Sequence, residues 1–370
     1  MNSTALLVVV VATALAFDFT NGFHDTANAM ATSIATRALR PRPAVLLAAA
    51  LNMAGAFISL KVATTIAKGI IDSGLITLPI VSAALLGAIA WNLLTWYFGL
   101  PSSSSHALIG GLVGAMLVAK GSGAVQWHGV ASKVVIPALI APVLACVAAW
   151  LAASIAFRAT RRIDRDASAR GYRLGQIGSA SLVSLAHGTN DAQKTMGVIT
   201  LALVAHGSLP KSGFTVPWWV IVAAAVSMGL GTYVGGWRII RTLGSRITEI
   251  GPTQGFSAET SSALVILSSS FFGYALSTTH VTTGSVFGSG LARRGTQTSW
   301  GVAGQVLLGW VVTLPAAAGM AAGAHSIIDL FSDATAGALV AGAIALSRCA
   351  VLWWLARRDP VTPDNVVPAT

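Results

Sequence analysis

Charge is scarce in this chain. Only 9% of its 370 residues are Asp, Glu, Lys or Arg, where a water-soluble domain carries about 25%. With 54% hydrophobic residues, the sequence lacks the polar surface that a water-facing globule needs, and it predicts an integral membrane protein with several spans. Cysteine is nearly absent. Cys146 and Cys349 both lie in apolar stretches, which excludes a disulfide framework or a thiolate metal cluster. No His-Glu-x-x-His or similarly spaced ligand set occurs, so His24, Asp25, His106 and His280 do not read as an intramembrane metalloenzyme, and no enzymatic role is expected. The N-terminal apolar run lacks a basic leader. Polar residues 18–25 stand where small cleavage-site residues are needed, so the run reads as a span and not as a signal peptide.

The formal net charge is +11, yet its distribution speaks against a nucleic-acid surface. Sixteen of the 23 basic residues, all arginines, fall into five groups: Arg37–Arg42, Arg158–Arg173, Arg238–Arg246, Arg293–Arg294 and Arg357–Arg358. Each flanks an apolar segment, as cytoplasmic loops do under the positive-inside rule. With these groups inside, the N-terminus lies outside and the C-terminus in the cytoplasm of a multi-pass cell-membrane protein. Residues 4–36 run inward, broken at 18–25, and 44–70 return outward. Residues 80–119 form a re-entrant hairpin broken at Gly99–Ser105, and 134–157 run inward again. From the inside, 177–206 run outward with a break at 187–191, 217–236 run back, 257–292 form a second hairpin, and 300–323 go outward. The order of elements repeats with the starting side reversed. The expected fold is therefore an all-α polytopic membrane protein, an inverted-topology repeat with broken helices and two re-entrant hairpins. Residues 1–157 form the first repeat, 158–175 a short cytoplasmic linker, 176–325 the second repeat, and 326–370 an additional transmembrane helix and tail. The 38 glycines suit close helix packing and broken helices in a bilayer.

Polar residues are few, and they recur in pairs. Phe17–Met30 places Asp18, Asn21, His24, Asp25 and Asn28 at membrane depth, where a carboxylate costs about 2.5–3.5 kcal/mol to insert and usually lines a path or site. The pattern returns at 186–196. Aligned without gaps, Gly22 meets Gly188, His24 meets Asn190, Asp25 meets Asp191 and Asn28 meets Lys194. A second pair lies in the hairpins, where Gly99-Leu-Pro-Ser-Ser-Ser-Ser-His106 and Gly273-Tyr-Ala-Leu-Ser-Thr-Thr-His280 each precede an apolar helix. Glycine and proline stop one helix and hydroxyl residues cap the next. The free N–H groups and dipole of that helix start, with the hydroxyls, suit an anion.

Two anion-suited helix starts beside two Asp-centred motifs describe a cation-coupled anion symporter, because Asp25 and Asp191 repel a bound anion unless a cation or proton intervenes. Glu259 and Asn92, on the first arms of the hairpins, either add cation ligands or serve helix packing. Lys194 either pairs with a carboxylate or reaches the anion, and His187 is either a satisfied structural histidine or a ligand. Asp18 lines an outer path or lies near the interface. An oxyanion channel uses similar helix ends but has no need of two intramembrane aspartates.

Five motifs in order resemble the PiT family of inorganic phosphate transporters: Asn-Gly-Phe-His-Asp-Thr-Ala-Asn-Ala at 21–29, Gly-Leu-Pro-Ser-Ser-Ser-Ser-His at 99–106, His-Gly-Thr-Asn-Asp-Ala-Gln-Lys at 187–194, Gly-Phe-Ser-Ala-Glu at 255–259 and Ser-Thr-Thr-His at 277–280. The resemblance runs from about residue 10 to about 325. It implies a secondary transporter that takes up inorganic phosphate with a coupling cation, commonly as a homodimer. It places phosphate on Ser103, Ser104, Ser105, Ser277, Thr278 and Thr279, and gives Asp25, Asn28, Asn190 and Asp191 to cations and substrate. His24 stands where sodium-coupled members carry asparagine. This is similar to the bacterial low-affinity branch, which uses protons and takes phosphate as a neutral complex with magnesium or another divalent metal. No permanently bound cofactor is implied. Three features depart from the pattern: Ala275 replaces a proline usual before the second hydroxyl run, the central loop is short, and the span at 335–356 is added.

Overall fold

The computed structural model describes residues 4–72, 74–210, 215–293, 295 and 298–367; Met1–Ser3 at the N-terminus and Arg294 of the fourth arginine group lie outside them, as does the side chain of Lys68. The first half contains α1 (Thr4–Ala35), α2 (Pro41–Gly55), α3 (Lys61–Gly69), α4 (Leu78–Tyr97), α5 (Ser104–Lys120), the short α6 (Trp127–Val130) and α7 (Ile136–Thr160). The second half contains α8 (Arg165–His206), α9 (Trp218–Val234), α10 (Trp237–Arg241), α11 (Pro252–Phe272), α12 (Thr278–Leu291) and α13 (Trp300–Asp329), and α14 (Ala334–Ala356) follows. Among the described residues five helices are long and apolar enough to cross a membrane, and the pair Trp218–Val234 and Trp237–Arg246, bent by 60°, makes a sixth if counted as one span. Among the described residues there is no strand beyond two isolated antiparallel bridges, Ile71 with Val125 and Thr248 with Thr298, at equivalent places in the two halves. The chain is an all-α polytopic membrane protein.

Each half is completed by the other. α5 packs along α13, and α12 packs along α7; α1 lies on α9, and α8 lies on α2. Glycine permits these approaches. A Cβ at Gly110 or Gly114 of α5 runs into the carbonyls of Leu314 or Ala318, and one at Gly284 or Gly288 of α12 runs into those of Pro142 or Cys146. Two small-xxx-small seams thus hold the second arms of both hairpins. In a bilayer, close backbone contact replaces the hydrophobic drive that packs helices in water.

The breaks lie elsewhere than expected. α1 runs uninterrupted through 18–25 and α8 through 187–191. No proline enters either stretch, and the hydroxyls of Thr26 and Thr189 bond back to Gly22 and Leu185 carbonyls, at 2.7 and 2.8 Å. Gly22 and Gly188 serve packing: a Cβ at the first meets Met228 of α9, and one at the second meets Asn52 of α2. The arms that do break are the second ones, between α2 and α3 and between α9 and α10. Residues 158–175 also differ from the expected loop, since α8 begins at Arg165, capped by the Asp164 carboxylate. The hairpin turns stand where expected, each with a left-handed glycine, Gly99 (φ 66°) and Gly273 (φ 78°). The second turn forms with Ala275 in place of proline, so the glycine and the serine cap suffice.

Candidate functional site

The two duplicated motifs meet because α1 and α8 pack antiparallel at the centre of the molecule: Thr36 bonds Gln176 at 2.6 Å near one end, and Thr195 bonds Asp18 at 2.8 Å beyond the motifs. Asp25, His187 and Asp191, all buried, offer ligand atoms within 4.8 Å of one another. His187 Nε2 lies 3.3 Å from Asp191 Oδ2 and 3.7 Å from Asp25 Oδ2. Its Nδ1 is 3.2 Å from Asn52 Oδ1, and the amide nitrogen of Asn52 donates to Thr232 at 2.8 Å. Nδ1 therefore carries hydrogen, and Nε2 turns toward two carboxylates. Of the two readings open for His187, the geometry puts it among the potential ligands; its place one turn before Asp191 was the available signal.

Both hairpin turns reach this centre. Lys194, 1% exposed, donates to Asp191 Oδ1, to Ser105 Oγ of the first hairpin, and at 3.0 Å to the Leu276 carbonyl of the second. Its equivalent, Asn28, donates to Thr279 at 3.0 Å, so each motif grips the hairpin of the other half. Thr278 donates to Asp191 Oδ2 at 3.1 Å and Thr279 to Asp25 Oδ1 at 3.3 Å. Ser103 and Ser277 act as N-caps, accepting from the His106 and His280 amides at 3.1 and 3.2 Å. Buried Ser104 Oγ and Asn28 Oδ1 have no hydrogen-bond partner among the described residues.

Position 24 and its equivalent tie each motif to its own hairpin. His24 Nδ1 lies 2.9 Å from Asp25 Oδ1, and Nε2 lies 3.2 Å from Thr95 Oγ1. Asn190 donates to Ser270 at 2.9 Å and to the Tyr274 carbonyl at 3.3 Å, while its own Oδ1 has no partner among the described residues. Asn92 is buried one turn before Thr95, and neither of its amide atoms has a partner among the described residues. Glu259 is not brought to the centre. It accepts from Thr32 and Ser33 at 2.6 Å, from Gln176 at 3.1 Å and from Ser179 at 2.6 Å, about two helical turns along α1 from Asp25. Asp18 is fully buried; Thr195 satisfies Oδ1, and Oδ2 has no partner among the described residues.

The fold agrees with the comparison to known proteins. A model of the phosphate transporter family matches residues 21–321. The chain belongs to that family. Its members are transporters and not enzymes. A relative from Mycobacterium tuberculosis, named a probable low-affinity inorganic phosphate transporter, is 56% identical over 361 residues, covering 98% of this chain and 86% of the relative. A Bacillus subtilis relative with the same name is 44% identical over 330 residues, covering 88% and 98%. Among solved structures, one titled "The sodium-dependent phosphate transporter" superposes with a TM-score of 0.79 over 88% of this chain and 99% of its own, at 24% identity. That likeness concerns the fold.

Proposed function

We propose that this chain imports inorganic phosphate in symport with protons, the anion travelling as a neutral complex with a divalent metal such as magnesium. The observation that carries this reading is the set Asp25, His187 and Asp191. Two buried carboxylates face each other across an imidazole nitrogen, 3.3 and 3.7 Å away, whose ring already donates through Nδ1. A neutral ring presents a lone pair to both carboxylates, so a proton or a cation completes the arrangement. A hard divalent ion suits the carboxylate oxygens. Phosphate then takes the hydroxyls and free N–H groups at the starts of α5 and α12, its charge offset by the metal. The arginine groups set the N-terminus outside and the C-terminus inside, and the two halves act as inverted repeats around this centre.

Uptake of labelled phosphate into proteoliposomes, with gradients imposed one at a time, tests the assignment. An inward proton gradient with magnesium present drives accumulation, and chelation of the metal abolishes it. Accumulation driven by sodium at symmetric pH refutes proton coupling, and ion currents beyond transporter turnover point to a channel. The anion site has its own test in Ser104→Ala. Ser104 Oγ has no internal bond to lose, so the fold is expected to stand while phosphate affinity falls about tenfold or more, the effect of one hydrogen bond to a charged group at about 1.5–3 kcal/mol. An unchanged concentration dependence of uptake moves the phosphate away from this helix start.

A further inference from the structure

Outside the centre, one cation stands at the start of each kinked second segment. Lys61 opens α3, and Arg238 is the second residue of α10. Lys61 Nζ donates to the Phe271 carbonyl at 2.9 Å and lies 4.4 Å from the Phe271 ring centre. Arg238 Nη1 donates to the Tyr97 carbonyl at 3.2 Å, with the guanidinium 5.6 Å from the Tyr97 ring centre. Tyr97 and Phe271 are equivalent positions that end the first arms of the two hairpins. There the last carbonyls lack helical donors and the helix dipole is negative, so a cation binds favourably.

The correspondence continues one turn on. Thr65 Oγ1 is 3.4 Å from the Lys61 carbonyl and donates to Gly273 O at 2.7 Å. Thr242 Oγ1 donates to the Arg238 carbonyl at 3.2 Å, and a Cβ at Gly99 lies 3.3 Å from that hydroxyl. Cation, aromatic ring, threonine and left-handed glycine recur as one unit. In each unit the kinked arm belongs to one half and the hairpin to the other.

The units sit toward opposite ends of the molecule. α3 packs on α8 at Gln193 and Gly197, past the centre toward His206. The segment from Gly236 to Gly244 packs on α1 from Phe23 to Ala35, toward the other end. The second hairpin turn therefore lies on the Lys61 side of the centre and the first on the Arg238 side.

We infer that Lys61 and Arg238 are latches, Lys61 holding the turn of the second hairpin shut and Arg238 that of the first, so that releasing one unseals the site toward one side only. The inference rests on the transport reading above, in which the Lys61 end faces outside. The Arg238 latch is tied further, since Nη2 also donates to the carbonyls of Ala356 and Asp359, at 2.9 and 2.6 Å. The end of α14 therefore braces that side.

The test places one cysteine in each turn, Ala275→Cys or Pro101→Cys, with Cys146 and Cys349 replaced by serine. Both turn positions are buried, and alanine at 275 shows that the turn forms without proline. Labelling by an impermeant maleimide is then timed from each side of oriented vesicles. Lys61→Ala is expected to raise labelling of Ala275→Cys from outside about tenfold, the factor for one charge-assisted hydrogen bond, and to leave Pro101→Cys unchanged. Arg238→Ala does the reverse from inside, while Lys61→Arg keeps labelling slow. Should Lys61→Ala fail to reach the membrane, Thr65→Val reads the same latch through Gly273. Equal acceleration at both turns, or none at either, overturns the proposal. Labelling requires no transport, so side-specific labelling without phosphate uptake refutes the cargo and leaves the latches standing.

Discussion

Lys194→Met is expected to destabilise the protein by about 3–5 kcal/mol, the cost of removing one partner from a buried ion pair. The ammonium is 1% exposed and bonds Asp191, Ser105 and the Leu276 carbonyl. Its loss strands a carboxylate beside His187 and Thr278 and frees both hairpin turns from their shared anchor. The membrane gives Asp191 no water in exchange. Thermal unfolding in detergent measures the loss. Adding Asp191→Asn to Lys194→Met removes the stranded charge, and the double variant is expected to recover most of the stability. Neither variant is expected to accumulate phosphate, since Asp191 faces the proposed cation site. A Lys194→Met protein with unchanged melting and full uptake would show that the ammonium neither anchors the turns nor serves transport.

How far the sequence carried this picture differs from one feature to another. The hairpins were legible because glycine, proline and hydroxyl runs act locally: a left-handed glycine ends one helix and a serine caps the next wherever they occur. The pairing of the halves was legible because the polar motifs repeat in order. The continuity of α1 and α8 through their motifs was not, because an Asn/Asp/His cluster in an apolar run reads alike whether the helix breaks or turns its polar face inward. Only the partner helices decide, and here they close on Gly22 and Gly188. The seams at Gly110, Gly114, Gly284 and Gly288 did show a small-xxx-small spacing, but glycine is so frequent that this pattern carries little information alone. Glu259 shows the limit for site residues. Its position on a hairpin arm told nothing of its height along the bundle, and it accepts bonds from residues on α1 and α8 well away from Asp25.

His24→Asn is expected to abolish accumulation driven by a proton gradient while phosphate still binds and exchanges. The hydrogen inventory of the pair argues for this. Thr95 Oγ1 donates to the Trp91 carbonyl at 2.9 Å and receives the Ser102 hydroxyl at 2.8 Å, so it faces His24 Nε2 as an acceptor. Asp25 Oδ1 faces Nδ1 at 2.9 Å. Both ring nitrogens therefore meet acceptors, and a neutral imidazole has hydrogen for one of them only. A proton taken up by the pair would let both bonds form at once, and its release would break one of them, either within the pair or to Thr95, which accepts from Ser102 of the first hairpin turn. Proton release and hairpin movement are thereby connected through one ring. Asparagine keeps a carbonyl for a cation and an amide hydrogen for Thr95 but has no group that titrates near neutral pH. Its equivalent, Asn190, already makes such bonds to Ser270 and Tyr274 in the other half. The measurement is concentrative uptake at fixed membrane potential with the outside made acidic, set against phosphate exchange at symmetric pH. Undiminished proton-driven accumulation in His24→Asn would take this ring out of the coupling mechanism and pass the role to the Asp25, His187 and Asp191 centre.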